Sequence, residues 1–279
     1  MSYQPVIPMG GIAGWRLLQR TQASQQATFD KSADVQRDVA YFEEKIGGVT
    51  SAADLVADRR LLKVALGAFG LDSEIDKKAF VRKVLEEGTT DPEALASRLT
   101  DKSFAKLSDA FGFGDSGGPN TADAGFAAKI TDAYKTRAFE VAVGDADNNM
   151  RLAMNFKREI ADLASQGEDG ASWYNVLGSK PLLQVVEKAF GLPSSFSKLD
   201  IDRQRDILAG KADALIGDDT LAVFKDPAAV EKVITRFLAR AQIEDGVSSS
   251  SPASAALTLL QGASGSGSQG ILNLLASQG

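Results

Sequence analysis

Between Arg16 and Asp245 the apolar residues recur at three- and four-residue spacing, and that period leaves the chain few ways to fold. Val35, Val39, Phe42 and Ile46 step by 4, 3 and 4; Leu152, Phe156, Ile160 and Leu163 step by 4, 4 and 3. Each set lines one side of an α-helix, so each helix must bury a stripe against a neighbour. Convincing period-two alternation is absent. The expected class is therefore all-α, a helical bundle of about nine to eleven helices of ordinary length. Helix starts are signalled at Asp91-Pro92 and Asp226-Pro227, where Asp can accept from free N-terminal amides and Pro lacks only a donor that would go unused. Ser51 with Asp54, and Ser73 with Asp76, have capping-box spacing.

The helical region carries an internal duplication. LLKVALGAFGL (61–71) and LLQVVEKAFGL (182–192) agree at seven of eleven positions. Upstream, RDVAYFEEKI from Arg37 aligns with RLAMNFKREI from Arg151, with an insertion placed in SQGEDGA of the second copy. Downstream, the helix after Asp101 is loosely matched with the one after Asp226. In both copies AFG-L reads as a helix end: a buried Phe, a Gly in the left-handed position, then an apolar residue folding back. Two similar helical units packed as pseudo-symmetric halves are expected.

Charge divides the chain further, because Met1–Trp15 and the 34 residues after Asp245 contain none. The expected organisation is an uncharged N-terminal arm (1–15), a first unit (16–113), a Gly-rich connector (114–125), a second unit (126–245) and a flexible Ser/Gly-rich tail (246–279). Within the tail, Leu257, Leu259 and Leu260 form one apolar cluster, and Ile271, Leu272, Leu274 and Leu275 another. Apolar groups on a flexible tether suit docking into a groove, on this chain or another. In the arm, Trp15 serves either the core or a partner contact. Trp173 and Tyr174 are expected as core packing between the units.

The chain has no Cys and no His, which excludes disulfides, Cys/His zinc sites, thiolate nucleophiles and a Ser-His-Asp triad. A net charge of −6 without any block of five like charges argues against nucleic-acid binding. No run of eighteen apolar residues could span a bilayer, and MSYQPVIPMGGIAGW lacks the basic and apolar regions of a cleavable secretory signal. The remaining motifs lack their contexts. GFGDSG (112–117) fits G-x-G-x-x-G, but a helix and not a strand leads into it, so it reads as a connector. Asp145, Asp147 and Asn149 open like a calcium loop, yet Met150 and Phe156 stand where Gly and Glu are needed, leaving a helix start. Ser103/Lys106 and Ser195/Lys198 match S-x-x-K without its companion motifs. Glu43/Glu44, Glu86/Glu87 and Asp218/Asp219 are sequential pairs pointing apart on helix surfaces. No catalytic residue, metal ligand or cofactor site is expected.

Four stretches carry a likeness to a known family: YKTRAFEVAVGDADNNMRLAMNFKREIADLA from Tyr134, WYNVLGSKPLLQVVEKAFGLP from Trp173, LDIDRQ from Leu199 and DPAAVEKVITRFLARAQ from Asp226. With DRRLLKVALGAFGL and VRKVLEEGT in the first half, they resemble a bacterial domain family of unknown function, found in alphaproteobacteria and tending to be encoded among flagellar genes. The likeness covers most of Gly10 to Gln242. It implies a role in flagellar assembly or motility and transfers no activity, cofactor or catalytic residue. The expected function is a non-enzymatic interaction protein associated with the flagellum, with flagellar components or further copies of itself as partners. It would be cytoplasmic or exported through the flagellar apparatus. The alternatives are a cytoplasmic export adaptor or chaperone, and a carboxylate-dependent hydrolase requiring two buried acids converging in a pocket.

Overall fold

The computed structural model describes residues 3–166 and 171–248, and these contain thirteen α-helices and no strand. The first seven are α1 (Gly11–Asp30), α2 (Ala33–Lys45), α3 (Ala52–Ala57), α4 (Arg59–Phe69), α5 (Lys78–Glu87), α6 (Leu95–Arg98) and α7 (Ser103–Phe111). The remainder are α8 (Phe126–Ala146), α9 (Asn148–Ser165), α10 (Trp173–Leu177), α11 (Lys180–Phe190), α12 (Ile201–Ile216) and α13 (Pro227–Ser248). The all-α expectation holds. Short helices of four to six residues (α3, α6, α10) raise the number above the expected range.

Local signals placed some of the boundaries and missed others: Asp91 accepts from the Glu93 amide at 2.8 Å, but only a turn follows Pro92 and α6 starts at Leu95. Ser51 accepts from the Asp54 amide at 3.1 Å and so caps α3, but its hydroxyl, not its backbone N–H, donates to the Asp54 carboxylate at 2.7 Å, so the reciprocal bond of a capping box is not made. Asp226 accepts from the Ala228 amide at 2.9 Å ahead of α13. Asp147 accepts from the Asn149 and Met150 amides and caps α9, the bland reading of the calcium-like triplet. Ser73 and Asp76 start no α-helix: Asp76 pairs with Arg59, and Ser73 lies in a single 3-10 turn.

Two hydrophobic cores result. One gathers Phe42, Leu55, Leu62, Leu66, Val84 and Phe111 with Phe126, Ile130 and Tyr134; the other gathers Trp15, Leu18 and Phe29 with Phe139, Val143, Phe156, Val186, Phe224 and Phe237. Helix α8 therefore enters both, its first half in one core and its second half in the other. This moves the expected boundary. Phe111 and Phe126, on either side of the Gly-rich segment, stack edge-on at 5.1 Å in one core, so 114–125 is a surface turn within a unit. Asp115 holds that turn by accepting from the Thr89 and Thr90 amides at 2.8 and 3.1 Å. The expected 16–113 unit is also redrawn, because α1 packs into the second core.

The duplication is clearest at the two AFG-L ends. Gly70 (φ 73°) and Gly191 (φ 66°) are both left-handed; Leu71 N–H donates to Leu66 O and Leu192 N–H to Glu187 O, each at 2.9 Å. Over each glycine lies an arginine, Arg137 at Gly70 and Arg240 at Gly191, within 2.8 and 2.6 Å of where a Cβ would stand. A guanidinium there meets the negative end of the helix. The arginines fix the register: α8 is the counterpart of α13, with Tyr134 opposite Phe237 and Ile130 opposite Val233, all buried. The loose match of α7 with α13 gives way to this one. Each unit thus runs from a helix bearing Phe42 or Phe156 (α2, α9), through the AFG-L helix (α4, α11), to a long closing helix (α8, α13). The units join at Asp147, and α1 stands outside the repeat. Of the segment expected to carry the insertion, 165–171, residues 167–170 lie outside the described residues.

Replacing Gly70 or Gly191 by Ala forces an L-residue into the left-handed region against a guanidinium, and each change should cost about 1–2 kcal/mol in urea denaturation. Gly210, inside α12 with no atom near its missing Cβ, is the control: Gly210→Ala should stabilise by about 0.5–1 kcal/mol.

Candidate interaction site

The residues that sequence singles out fall into two sets. Leu257, Leu259, Leu260, Ile271, Leu272, Leu274 and Leu275 lie outside the described residues. Trp15 is only 2% exposed, which decides between its two roles: it is core, and the partner-contact reading is corrected. Four residues into α1, its ring packs over α9 and α13, and its Nε1 donates to Glu231 at 2.9 Å. Gln19 Nε2 donates to the same carboxylate, and Lys157 approaches both Glu231 (3.4 Å) and the Trp15 ring (6.0 Å). Burying the indole requires an acceptor for its N–H, and α13 supplies one.

The uncharged arm is docked from Tyr3 onward. Gln25, on α1 and nearly buried, donates to Val6 O at 3.3 Å and accepts from Val6 N–H at 2.7 Å, reading both backbone groups as a strand neighbour would. Tyr3 and Ile7 pack on the second core. Gly14 permits the close return, since a Cβ there would lie 1.9 Å from Met9 O. Trp173 is buried within the second core against Phe190 and Phe224, not between the units. Tyr174 is 40% exposed, donating to Asp202 with Arg205 over its ring, which corrects its assignment to the core.

Charge concentrates where the cores meet, with Glu140 buried and Arg137, Arg158 and Glu159 partly buried. Arg158 makes a two-pronged pair with Glu140, both contacts 2.8 Å; Arg137 reaches Glu159 at 2.9 Å; and Arg158 lies 3.4 Å from Glu159. Asn155 Nδ2 also donates to Glu159, at 3.2 Å. Burial works to raise the Glu159 carboxyl, but Arg137 and Arg158, with Lys106 farther off, outweigh it and hold the group below the ordinary range. Arg158 is held above its usual value: burial opposes its charge, and Glu140 then Glu159 restore it. A proton donor in hydrolysis needs a carboxyl pushed up, and here the arginines push Glu159 the other way. These residues form a structural lock.

Two of the surface clefts differ in their linings. One, of about 310 Å³, is polar and walled by Asp34, Arg37, Asp38, Arg60 and Lys63, whose charges pair with one another. The other, of about 590 Å³, is a groove between α1, α2 and α8. Its apolar lining is Ala27, Val39 and Ala40; Asp30, Lys31, Glu43 and Lys135 add two acids and two lysines, and Gln36 completes it. This groove escaped sequence reasoning because Val39 and Ala40 look like ordinary positions on the amphipathic helix α2. Among the described residues no helix is long and apolar enough to cross a membrane.

A family model described as "Protein of unknown function (DUF1217)" matches residues 68–230, from the end of α4 to the start of α13. The chain belongs to that family. The match spans both AFG-L ends and the lock of this DUF1217 protein, and its description prints no activity. The chain is also similar to a structural-genomics target from Agrobacterium tumefaciens solved by X-ray crystallography, at 27% identity and a TM-score of 0.70. That likeness covers 87% of the DUF1217 chain and 99% of the Agrobacterium one. No curated protein matches it.

Two stability measurements test this assignment. Trp15→Ala should cost about 3–5 kcal/mol, as for a filled core position, whereas a surface contact residue would change stability by under about 0.5 kcal/mol. Glu159 titrates near pH 4.3 when unfolded and lower when folded, so its contribution is present above the unfolded value and is lost as pH falls through the folded one. Glu159→Gln should therefore lose about 3 kcal/mol in urea titrations at neutral pH and differ progressively less from the parent below about pH 4.

Proposed function

We propose that this DUF1217 protein is a non-catalytic interaction protein of the bacterial flagellum, with a structural or assembly role exercised through helical faces and its C-terminal tail. The observation that carries the interaction reading is the groove between α1, α2 and α8. Its apolar lining and balanced charge suit an apolar, uncharged peptide segment laid along helices. The tail, with its two leucine-rich clusters and no charge, has that chemistry. The flagellar part rests on the sequence resemblance stated above. Against the hydrolase alternative, Glu140 is buried and Glu159 partly so, but each is committed to an arginine, and the arginines hold the Glu159 carboxyl below its ordinary range.

The test is made in a flagellated host carrying the full-length gene. Replacing the leucines and isoleucine of both tail clusters by Ser should abolish swimming while leaving the protein folded at normal abundance; unchanged swimming sinks the reading. Immunoblots of medium, hook-filament preparations and cytoplasm should find the protein with the flagellar structure. Confinement to the cytoplasm instead selects the adaptor or chaperone alternative.

A further inference from the structure

We propose that the groove between α1, α2 and α8 is a second copy of the site that α1 fills on the other unit, and that it takes the Leu257–Gln261 stretch of another molecule of this protein. The proposal deepens the interaction reading by naming its occupant. It follows from the alignment of RDVAYFEEKI with RLAMNFKREI and from the register fixed by Arg137 and Arg240. By the first, Gln36, Val39, Ala40 and Glu43 correspond to Met150, Ala153, Met154 and Lys157; by the second, Lys135 corresponds to Leu238. The first five line the groove. Of the second five, Met150, Ala153, Met154 and Leu238 are buried, and α1 lies over them, with Gly14 against Met150 and Trp15 beside Lys157. On the first unit Gln36, Ala40 and Glu43 are exposed and Val39 is half-buried. The same helical surface therefore occurs twice, covered in one unit and open in the other.

The occupant is argued from sequence and reach. On α1 the run reads Trp15-Arg16-Leu17-Leu18-Gln19, of which Trp15 and Leu18 are buried and Gln19 reaches Glu231 while Arg16 and Leu17 are exposed; the tail reads Leu257-Thr258-Leu259-Leu260-Gln261, with Leu257, Leu260 and Gln261 at the covering positions. The exchange of Trp for Leu suits the groove. Trp15 needs Glu231 for its N–H, and the counterpart of Glu231 is Ala128, which offers no side-chain acceptor; leucine requires none. Gln19 donates to Glu231, and the carboxylate of Glu43 stands in the groove lining for Gln261. The segment is uncharged, so the groove's two acids and two lysines are left balanced.

Length favours a second copy as the donor. Gly11 lies against Gln242 near the end of α13, whereas the groove lies at the far end of α1, and from Gly11 to Ala27 is ~24 Å along that helix. A coil of nine residues, the number from Ser248 to Leu257, has a root-mean-square span of only ~15–18 Å, so the segment reaches a neighbour's groove more readily than its own. A tail from one molecule in the groove of the next is a head-to-tail contact, which builds open chains or rings.

The cysteine-free chain makes the test direct. Full-length Ala40→Cys and full-length Leu260→Cys proteins are mixed and oxidised, so that any disulfide between these positions joins two molecules. It should form at least about tenfold more than the link between Leu260→Cys and Ser73→Cys, an exposed site away from the groove. In the unlabelled full-length protein, Leu257→Ser with Leu260→Ser should weaken self-association by about tenfold or more in sedimentation. Equal linking at Ala40 and Ser73 overturns the proposal, as does a purely intramolecular link in the Ala40→Cys/Leu260→Cys double variant. If linking fails while the tail variant still abolishes swimming, this occupant is wrong and the interaction reading survives; if swimming is also unaffected, both fall.

Discussion

Helix α8 cannot be moved without disturbing both hydrophobic cores, because Phe126, Ile130 and Tyr134 belong to one and Phe139 and Val143 to the other. At this crossing sit Arg137 and Glu140, on either side of Phe139. Each is tied to α9, Arg137 through Glu159 and Glu140 through Arg158. A buried charge without its partner is expensive, so the four side chains demand one mutual placement of α8 and α9. Arg137 has a second duty, lying over the Gly70 turn that ends α4. One residue thus ties the end of the AFG-L helix of the first unit to the first helix of the second, and the relative setting of the two halves follows from it.

What sequence could reveal follows from how local each cause is. The AFG-L ends were legible because a left-handed glycine and its flanking apolar residues act within a few positions. The caps at Ser51, Asp147 and Asp226 were legible for the same reason. The pairing of α8 with α13 was not, since its signature is an arginine above a glycine far away in sequence, and the two helices share few identical residues. The Gly-rich segment at 112–125 looked like a boundary because composition reports the need for a turn, and composition is silent on whether the helices either side share a core. Phe111 against Phe126 settles that through tertiary packing alone. Of the candidate site, Trp15 could be read as an anchor, but the Glu231 acceptor that draws it inward lies 216 residues away.

The two units differ where α1 covers only one of them, and the difference can be followed residue by residue. Where α1 lies, the second unit offers Met150, Ala153, Met154 and Leu238 as a dry floor. At the same backbone positions the first unit has Gln36, Val39, Ala40 and Lys135, a surface that stands in water yet keeps an apolar centre at Val39 and Ala40. Gln36 is exposed to solvent and Lys135 is paired with Asp132, so this unit needs no covering helix to be stable, whereas the other would present a large apolar patch without one.

That asymmetry gives α1 its role. It is an added element that closes one half of a duplicated bundle, held by an indole N–H on Glu231 and by an arm pinned through Gln25. The groove of the other half keeps the shape inherited from the same helical arrangement but a softer lining, and softness matters for exchange. On the proposed docking, an apolar segment meeting Val39 and Ala40 between charged rims would bury less surface than Trp15 and Leu18 do on the second unit, so that contact would form and separate while the fold stays intact. A duplicated fold therefore holds one covering segment permanently and, on that proposal, takes a similar one reversibly.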